Sequence, residues 1–186
     1  MPPSWSLPSI ACALLLAAGA SLAAEDLVVE AERRGEGIEV RARAFIAAPT
    51  SIVWQVVTDY ERLPSFVPGI ARSRVRERNG SRLRLEQSGE ARFLVFAFPI
   101  EVQLEVVEAP PHWVVSHAVG GNLRRMIGRY DLLPDEARRG VKLAYVGVIE
   151  PDFDLPPLVG AAALRQMAEQ QFRAMVGEIE RLAPPR

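Results

Sequence analysis

Residues 48–70 read APTSIVWQVVTDYERLPSFVPGI, and the rest of the chain is interpreted around them. Thr50 or Ser51 can cap a helix, because a side-chain oxygen there accepts a free backbone N–H of the first turn. One apolar helical face follows, formed by Ile52, Val53, Val56 and Val57. The next run ends this helix, because Pro64 disfavours helical dihedrals at Leu63. The stretch therefore predicts two short helices between strands.

Strand patterns surround these two helices. Apolar and charged residues alternate over residues 38–46, and a period of two with one polar face indicates a half-buried strand. Residues 70–92 predict two strands joined at Asn79-Gly80, a pair that suits a tight hairpin turn. Short turns then separate further predicted strands, which implies antiparallel pairing between neighbours along the chain. These strands cover residues 93–107, 112–119, 123–133 and 141–149.

The last element is a long amphipathic helix over residues 158–182. Its apolar side chains recur at spacings of three and four, at Leu164, Met167, Ala168, Phe172, Met175, Ile179 and Leu182. The whole order predicts an α+β fold, with a curved antiparallel β-sheet wrapped around the long C-terminal α-helix and two short helices after the first strand. Such a sheet cannot close flat on one helix, so we expect an apolar cavity between them.

The order of strand, capped helix, Asp-Tyr-Glu break, aromatic residue, Pro-Gly and strand resembles the START-like superfamily, also called the SRPBCC or helix-grip group. Within it, TDYERLPSFVPGI is most similar to the coenzyme Q-binding and polyketide cyclase/dehydrase branch. The resemblance covers residues 37–182. It implies a helix-grip, ligand-binding domain over residues 37–184, whose partner is a hydrophobic small molecule, lipid or quinone-like.

The N-terminus has the composition of a secretory signal peptide. Residues 1–24 carry no charged side chain, and residues 10–18 form a short apolar run. Small residues at positions 21 and 23 suit a cleavage site, and the apolar run is too short to cross a bilayer comfortably. We therefore expect a signal peptide over residues 1–23 and a periplasmic or secreted protein. An uncleaved N-terminal anchor is the alternative.

Composition limits the remaining possibilities. The net charge of −1 gives no argument for a nucleic-acid partner, and we predict none. Cys12 is the only cysteine and lies inside the predicted signal peptide, so the mature chain would carry no thiol for a disulfide, a nucleophile or a metal. Residues 24–36 are polar and charged, and they predict a flexible N-terminal lead.

The sequence contains no familiar catalytic or metal-binding pattern. HExxH, CxxC, GxSxG and glycine-rich phosphate loops are all missing. His112 and His117 are five residues apart in a predicted strand, so they point to opposite faces and cannot jointly hold a metal. We therefore predict no catalytic residue, no metal and no cofactor, and the pattern favours a protein that is not an enzyme.

Candidate ligand-binding side chains are those expected to face the cavity. His117 and Trp113 are assigned to an inward face, where His117 orients a polar group or acts as a general base, or else is a rim histidine bonded to backbone. The hydroxyls of Tyr130 and Tyr145 suit a carbonyl oxygen, or are ordinary sheet aromatics at the rim. The full set is Phe66, Phe96, Phe98, Ile100, Trp113, His117, Met126, Tyr130, Tyr145, Leu164, Met167 and Phe172.

Asp59 and a series of arginines each have a structural interpretation as well as a functional one. Asp59 is interpreted as a turn cap rather than a gate at the cavity. A series of alternating arginines on one sheet face suits the binding of an anionic surface. The glutamates between them instead favour a solvent-exposed sheet face on which the arginines form ion pairs. These arginines are Arg72, Arg74, Arg76, Arg78, Arg82 and Arg84. The apolar loop over residues 63–70, which contains Phe66, is expected to form a lid or to make transient contact with a membrane.

Three functions follow from this reading. The first is an exported, non-enzymatic carrier of a hydrophobic small molecule held between the sheet and the C-terminal helix. The second is an aromatase/cyclase-like enzyme in which His117 or a tyrosine moves protons, although export argues against it. The third is a surface-interaction module with a closed cavity, which binds its partner or a membrane through the arginine-bearing sheet face.

Overall fold

The computed structural model describes residues 25–93, 96–152 and 157–184. Its strands are β1 Glu25–Arg34, β2 Gly37–Ile46, β3 Ile70–Asn79, β4 Arg82–Phe93, β5 Phe96–Ala109, β6 Trp113–Gly121, β7 Leu123–Asp135 and β8 Gly140–Pro151. Its helices are α1 Thr50–Val57, a 3-10 turn over Tyr60–Arg62, α2 Leu63–Phe66 and α3 Pro157–Leu182. Within these residues, no helix has the length and apolarity needed to cross a membrane.

The strands form one antiparallel sheet in the order β1-β2-β8-β7-β6-β5-β4-β3. Strands β3 to β8 pair with their neighbours in sequence, and β2 adds to β8, so early and late parts of the chain meet at the second and third strands of the sheet. The sheet curves around α3. This arrangement confirms the predicted α+β, helix-grip fold, although the two short helices follow the second strand because β1 precedes it.

The prediction of a flexible lead over residues 24–36 is wrong for Glu25–Arg34, which form β1 and pair antiparallel with β2. Leu27, Val29 and Ala31 are partly buried and pack against the hydrophobic core. Their period-two spacing is the signal that the charged residues around them concealed. A turn at Gly35, whose φ is +62°, then reverses the chain into β2.

Two local details also differ from the predictions. Pro49 is the N-cap residue of α1, and no side chain caps this helix, so neither Thr50 nor Ser51 has the expected role. In the hairpin between β3 and β4, Asn79 pairs with Arg82, which makes Gly80 and Ser81 the central turn residues. Gly80 has a φ of +58°, which the absence of a Cβ allows.

The packed part of the core lies where the C-terminal half of α3 meets α1. Val176 and Ile179 on α3, and Val53 and Val56 on α1, are each at most 2% exposed. Full burial of one such side chain contributes about 2 kcal/mol to the free energy of unfolding. Towards its N-terminus, α3 packs on β1 and β2 through Leu164 and Ala168. The sheet and helix are less closely packed there, and the candidate site occupies that space.

Candidate functional site

A cavity with a volume of about 230 Å³ lies between the concave face of the sheet and α3. Its walls come from β2, from strands β4 to β8, from the segment between α1 and β3, and from α3. Most of the lining side chains are apolar, as in a site for a hydrophobic molecule. Those on β5 and β6 are Ile100, Val102, Leu104, Val106, Val114 and Ser116.

Seven of the twelve candidate residues line this cavity: Ile100, Met126, Tyr130, Tyr145, Leu164, Met167 and Phe172. The strand residues share the concave face because successive side chains alternate across a sheet. The three helix residues belong to the amphipathic stripe, which is buried from Ala163 to Ile179.

Trp113 and His117 do not line the cavity, so their assignment to the inward face is wrong. Val114 and Ser116 occupy the cavity wall, which places the odd-numbered residues of β6 on the outer face. There His117 Nε2 lies 3.4 Å from the Glu105 carboxylate, on neighbouring β5. The period of a strand is two, so an error of one residue in its phase moves every side chain to the opposite face.

The three candidate phenylalanines have different outcomes. Phe66 is partly buried against the core and is not a lining residue, whereas Leu63 and Val67 of the same segment are. Phe98 is partly buried and is not among the lining residues either. The side chain of Phe96 lies outside the described residues.

The cavity continues outward into a vestibule of about 590 Å³ between residues 68–71, strands β4 and β5, and α3. Ile70, Ile100 and Met167 line both spaces, so the vestibule is a mouth of the cavity. Its rim is polar and of mixed charge, with Glu90, Arg92, Glu101 and Gln170.

Backbone contacts hold the segment that borders this mouth close to β4. The Glu90 N–H donates a 2.8 Å hydrogen bond to the Gly69 carbonyl. Gly89 has no side chain, and a Cβ there would overlap the Gly69 carbonyl oxygen. On the other side, Gln171 Nε2 donates to the Pro68 carbonyl at 3.3 Å. The edge of the mouth is therefore attached to both the sheet and α3.

Two tyrosines supply polar groups inside the cavity. Tyr130 on β7 is paired with Tyr145 on β8, and their ring centroids are 4.7 Å apart. Neither hydroxyl has a hydrogen-bond partner among the described residues. Burial raises the pKa of Tyr145 to about 12. Burial, and secondarily the neighbouring Tyr145, also raises the pKa of Tyr130, so both groups are neutral donors at ordinary pH.

A buried polar network beside the cavity was not predicted from the sequence. The Tyr60 hydroxyl donates to the Glu108 carboxylate at 2.9 Å, and Arg78 Nη1 donates to its other oxygen at 2.9 Å. Burial, followed by the charge of Glu108, raises the pKa of Tyr60. One signal was available: Glu108 continues the inward series of Val102, Leu104 and Val106, and a carboxylate at such a position needs partners.

A second ion-pair network attaches the 3-10 turn to α3. Arg62 donates to Asp59 at 3.0 Å and to Glu178 at 2.9 Å, and Arg181 also donates to Glu178. The Asp59 carboxylate thus pairs with the Arg62 guanidinium. It does not cap the 3-10 turn that follows it, so its predicted role as a turn cap is wrong. Hydrogen bonds from Arg181, and then from Arg62, lower the pKa of Glu178 to about 2.

The arginine-bearing hairpin is partly ion-paired. Arg76 pairs with Glu86, Arg78 with Glu108, and Arg84 with Glu105. The side chains of Arg72, Arg74 and Arg82 make no hydrogen bond or ion pair with the part of the chain that the structure describes. Over residues 25–93, 96–152 and 157–184, no three His, Cys, Asp or Glu side chains gather as metal ligands.

Residues 46–176, more than two thirds of the 186-residue chain, match the family model described as polyketide cyclase / dehydrase and lipid transport. No curated protein matches the sequence. Among solved structures, the chain is similar to a START superfamily protein from Mycobacterium smegmatis, at 17% identity and a TM-score of 0.67, over 78% of this chain and 99% of that one.

Two other similar structures have names that refer to different activities. The Zhui aromatase/cyclase from Streptomyces sp. R1128 has 15% identity and a TM-score of 0.64, over 78% of this chain and 94% of that one. A STAR-related lipid transfer protein from Xanthomonas axonopodis has 16% identity and a TM-score of 0.63, over 84% of this chain and 99% of that one. At these identities, the similarity shows a shared fold.

Proposed function

Because the chain belongs to the polyketide cyclase / dehydrase and lipid transport family, we propose that it is an exported, non-enzymatic carrier of a hydrophobic small molecule, lipid or quinone-like. The observation that carries this proposal is the apolar cavity under α3, which opens through a polar-rimmed mouth. Transfer of apolar groups from water into such a space is favourable by about 25 cal/mol per Å² of surface removed from water.

The size of the cavity limits how a ligand would fit. An apolar cavity of about 150 Å³ is enough for benzene, and typical ligand pockets have volumes of about 300–1,000 Å³. At about 230 Å³, the inner cavity suits one or two fused rings or a short chain. A longer lipid or a prenylated quinone would therefore bury one end and extend through the mouth into the vestibule of about 590 Å³.

The chemistry of the lining favours a carrier over a cyclase-like enzyme. His117, to which a proton-transfer role was assigned, lies on the outer face of the sheet. The cavity tyrosines have raised pKa values, which makes them poor bases near neutral pH. Glu90 is the one carboxylate among the described residues that line the inner cavity, and it lies at the rim of the mouth.

Export is part of the proposal and is supported by the uncharged, partly apolar residues 1–24. The intact mass of the protein purified from its own host tests it. A chain that begins near Ala24 would support export, whereas a chain that begins at Met1 would contradict it.

Transient contact of the mouth with a membrane would complete the carrier function. Pro68 and Ala71 are exposed at the mouth, and Arg72 and Arg74 follow them with unpaired guanidiniums. We expect the protein to sediment with vesicles of phosphatidylcholine and phosphatidylglycerol, and Arg72→Glu/Arg74→Glu to weaken this binding. Equal binding of the double variant and the wild-type protein would show that these two arginines do not contribute to membrane binding.

Native mass spectrometry of the protein purified from its own host, followed by organic extraction, tests the carrier proposal itself. We expect a co-purifying hydrophobic compound. Met167→Glu introduces a charge where the cavity meets its mouth and should abolish binding. Gln166→Glu is a matched control, because it adds the same charge at the adjacent exposed position of α3. A wild-type protein that stays empty when offered lipids and quinones would overturn the proposal.

A further inference from the structure

We infer that Tyr130 and Tyr145 form a pair of hydrogen-bond donors that holds a neutral oxygen acceptor of the ligand, a carbonyl group, inside the cavity. The inference rests on the proposed function, because it requires the cavity to be occupied. It adds the chemical class of the buried end of the ligand and the residues that select it.

Sheet register and ring packing bring the two phenols together. Tyr130 and Tyr145 are directly paired on β7 and β8, with both side chains on the cavity face. Phe172 of α3 lies over them, with its ring centroid 5.9 Å from that of Tyr130 and 6.4 Å from that of Tyr145. Both rings are therefore confined between sheet and helix, and both residues line the same cavity.

Two glycines create the space that the Tyr145 hydroxyl occupies. Gly128 and Gly147 are paired across β7 and β8. A Cβ at Gly128 would lie 2.7 Å from the Tyr145 hydroxyl oxygen, and a Cβ at Gly147 would overlap it. The phenol thus lies along the glycine backbone of the sheet, rather than extending to the rim as for an ordinary sheet aromatic.

A third hydroxyl lies next to this position. Ser116 on β6 is paired with Gly128 and lines the cavity. Like the tyrosines, it has no side-chain hydrogen bond to any described residue. Three hydroxyl groups without protein partners therefore line the same, mostly apolar cavity, and their oxygens are accessible from it. A bound acceptor would supply the missing partner.

The charge of the cavity indicates that this acceptor is neutral. No arginine, lysine or histidine is found among the described lining residues. A carboxylate or phosphate would therefore lose its hydration without gaining a counter-charge, which is strongly unfavourable. A ketone, quinone or ester carbonyl has two lone pairs, can accept from two O–H donors, and carries no charge into the cavity.

Calorimetric binding of α-tetralone and tetralin to the full-length protein tests the inference, because the two probes share a carbon skeleton and differ by the carbonyl. We compare the wild-type protein with Tyr130→Phe/Tyr145→Phe, which keeps both rings. The double variant should bind α-tetralone about tenfold more weakly, the equivalent of one or two hydrogen bonds. Its affinity for tetralin should change less than twofold.

The infrared carbonyl stretch of bound α-tetralone provides a second measurement. It should lie at lower frequency in the wild-type protein than in the double variant, because hydrogen bonds weaken the C=O bond. Unchanged α-tetralone affinity and an unchanged stretch in the double variant would overturn the donor pair while leaving the carrier proposal intact. A wild-type protein that binds neither probe would overturn both, and thermal unfolding of the variant confirms that it is folded.

Discussion

The Tyr60 hydroxyl donates a 2.9 Å hydrogen bond to the Glu108 carboxylate, and the two residues are 48 positions apart in the sequence. This bond joins the segment after α1 to the C-terminal end of β5. Arg78, on β3, donates a hydrogen bond to the other oxygen of this carboxylate. Because the same segment carries Leu63 and Val67, the network also fixes one wall of the cavity.

Replacement of Tyr60 by phenylalanine should lower the free energy of unfolding by about 2 kcal/mol, because a buried carboxylate loses one of its donors. Chemical denaturation measures this change. Tyr145→Phe is the matched control, since its hydroxyl has no protein partner, and it should change stability by less than about 0.5 kcal/mol. Equal losses in the two variants would show that the Tyr60 bond contributes nothing specific.

Tyrosine ionisation in the folded protein should be suppressed, because the pKa values of all three tyrosines are raised by burial. The folded state favours the neutral phenols, so this contribution to stability is complete below about pH 10 and is lost as the pH rises further. Tyrosinate absorbance should therefore appear only with alkaline unfolding. In denaturant, the three groups should titrate together near pH 10. A phenol that ionises near pH 10 in the folded protein would contradict the burial of that residue.

Glu178 should make the protein sensitive to acid. Its pKa, about 2, is below the ordinary value for glutamate, so its stabilising effect is complete above about pH 5 and is lost as the pH falls towards 2. Glu178→Gln should lower stability by about 1 kcal/mol at neutral pH, since the two arginines are half exposed to water. The difference from wild type should shrink in acid.

Glu77→Gln is the control for this acid dependence, because it removes the same charge from an exposed residue of β3. Glu77 makes no ion pair with the described residues. Denaturation curves at several pH values compare the two variants. A loss for Glu178→Gln that does not depend on pH would indicate that the ion pairs are not responsible.

Gly89→Ala should destabilise the protein by about 2 kcal/mol or more, because the new Cβ meets the backbone carbonyl of Gly69 and neither can rotate away. Gly177→Ala is the matched control on α3, where a Cβ meets nothing within 4 Å. It should stabilise the helix by about 0.5–1 kcal/mol. Thermal unfolding distinguishes the two, and a neutral Gly89→Ala would mean that the edge of the mouth moves freely.

Local periodicity was sufficient for most of the fold. The alternation over residues 38–46 predicted the half-buried strand β2, and the spacing of Leu164, Met167 and Phe172 predicted the inner face of α3. These patterns are informative because each element has one buried face, and burial selects apolar residues at the period of the backbone. For the same reason, seven of the candidate residues lie at the cavity.

Local periodicity was insufficient where both faces of a strand carry mixed residues. On β6, Trp113 and His117 alternate with Val114 and Ser116, and neither set is clearly apolar, so the inward face depends on pairing with β5 and β7. The charged residues of β1 likewise conceal a strand that becomes apparent only when β2 pairs with it.

The sequence by itself thus determined the order of the elements, the antiparallel pairing of neighbours and the amphipathic face of α3, because these depend on residues close together in the chain. Only the tertiary structure decided which hydroxyls lack partners, that Glu108 joins Tyr60 to Arg78, and that Gly128 and Gly147 make room for Tyr145. These relationships depend on strand register and on the approach of α3, which bring together groups that are distant in sequence.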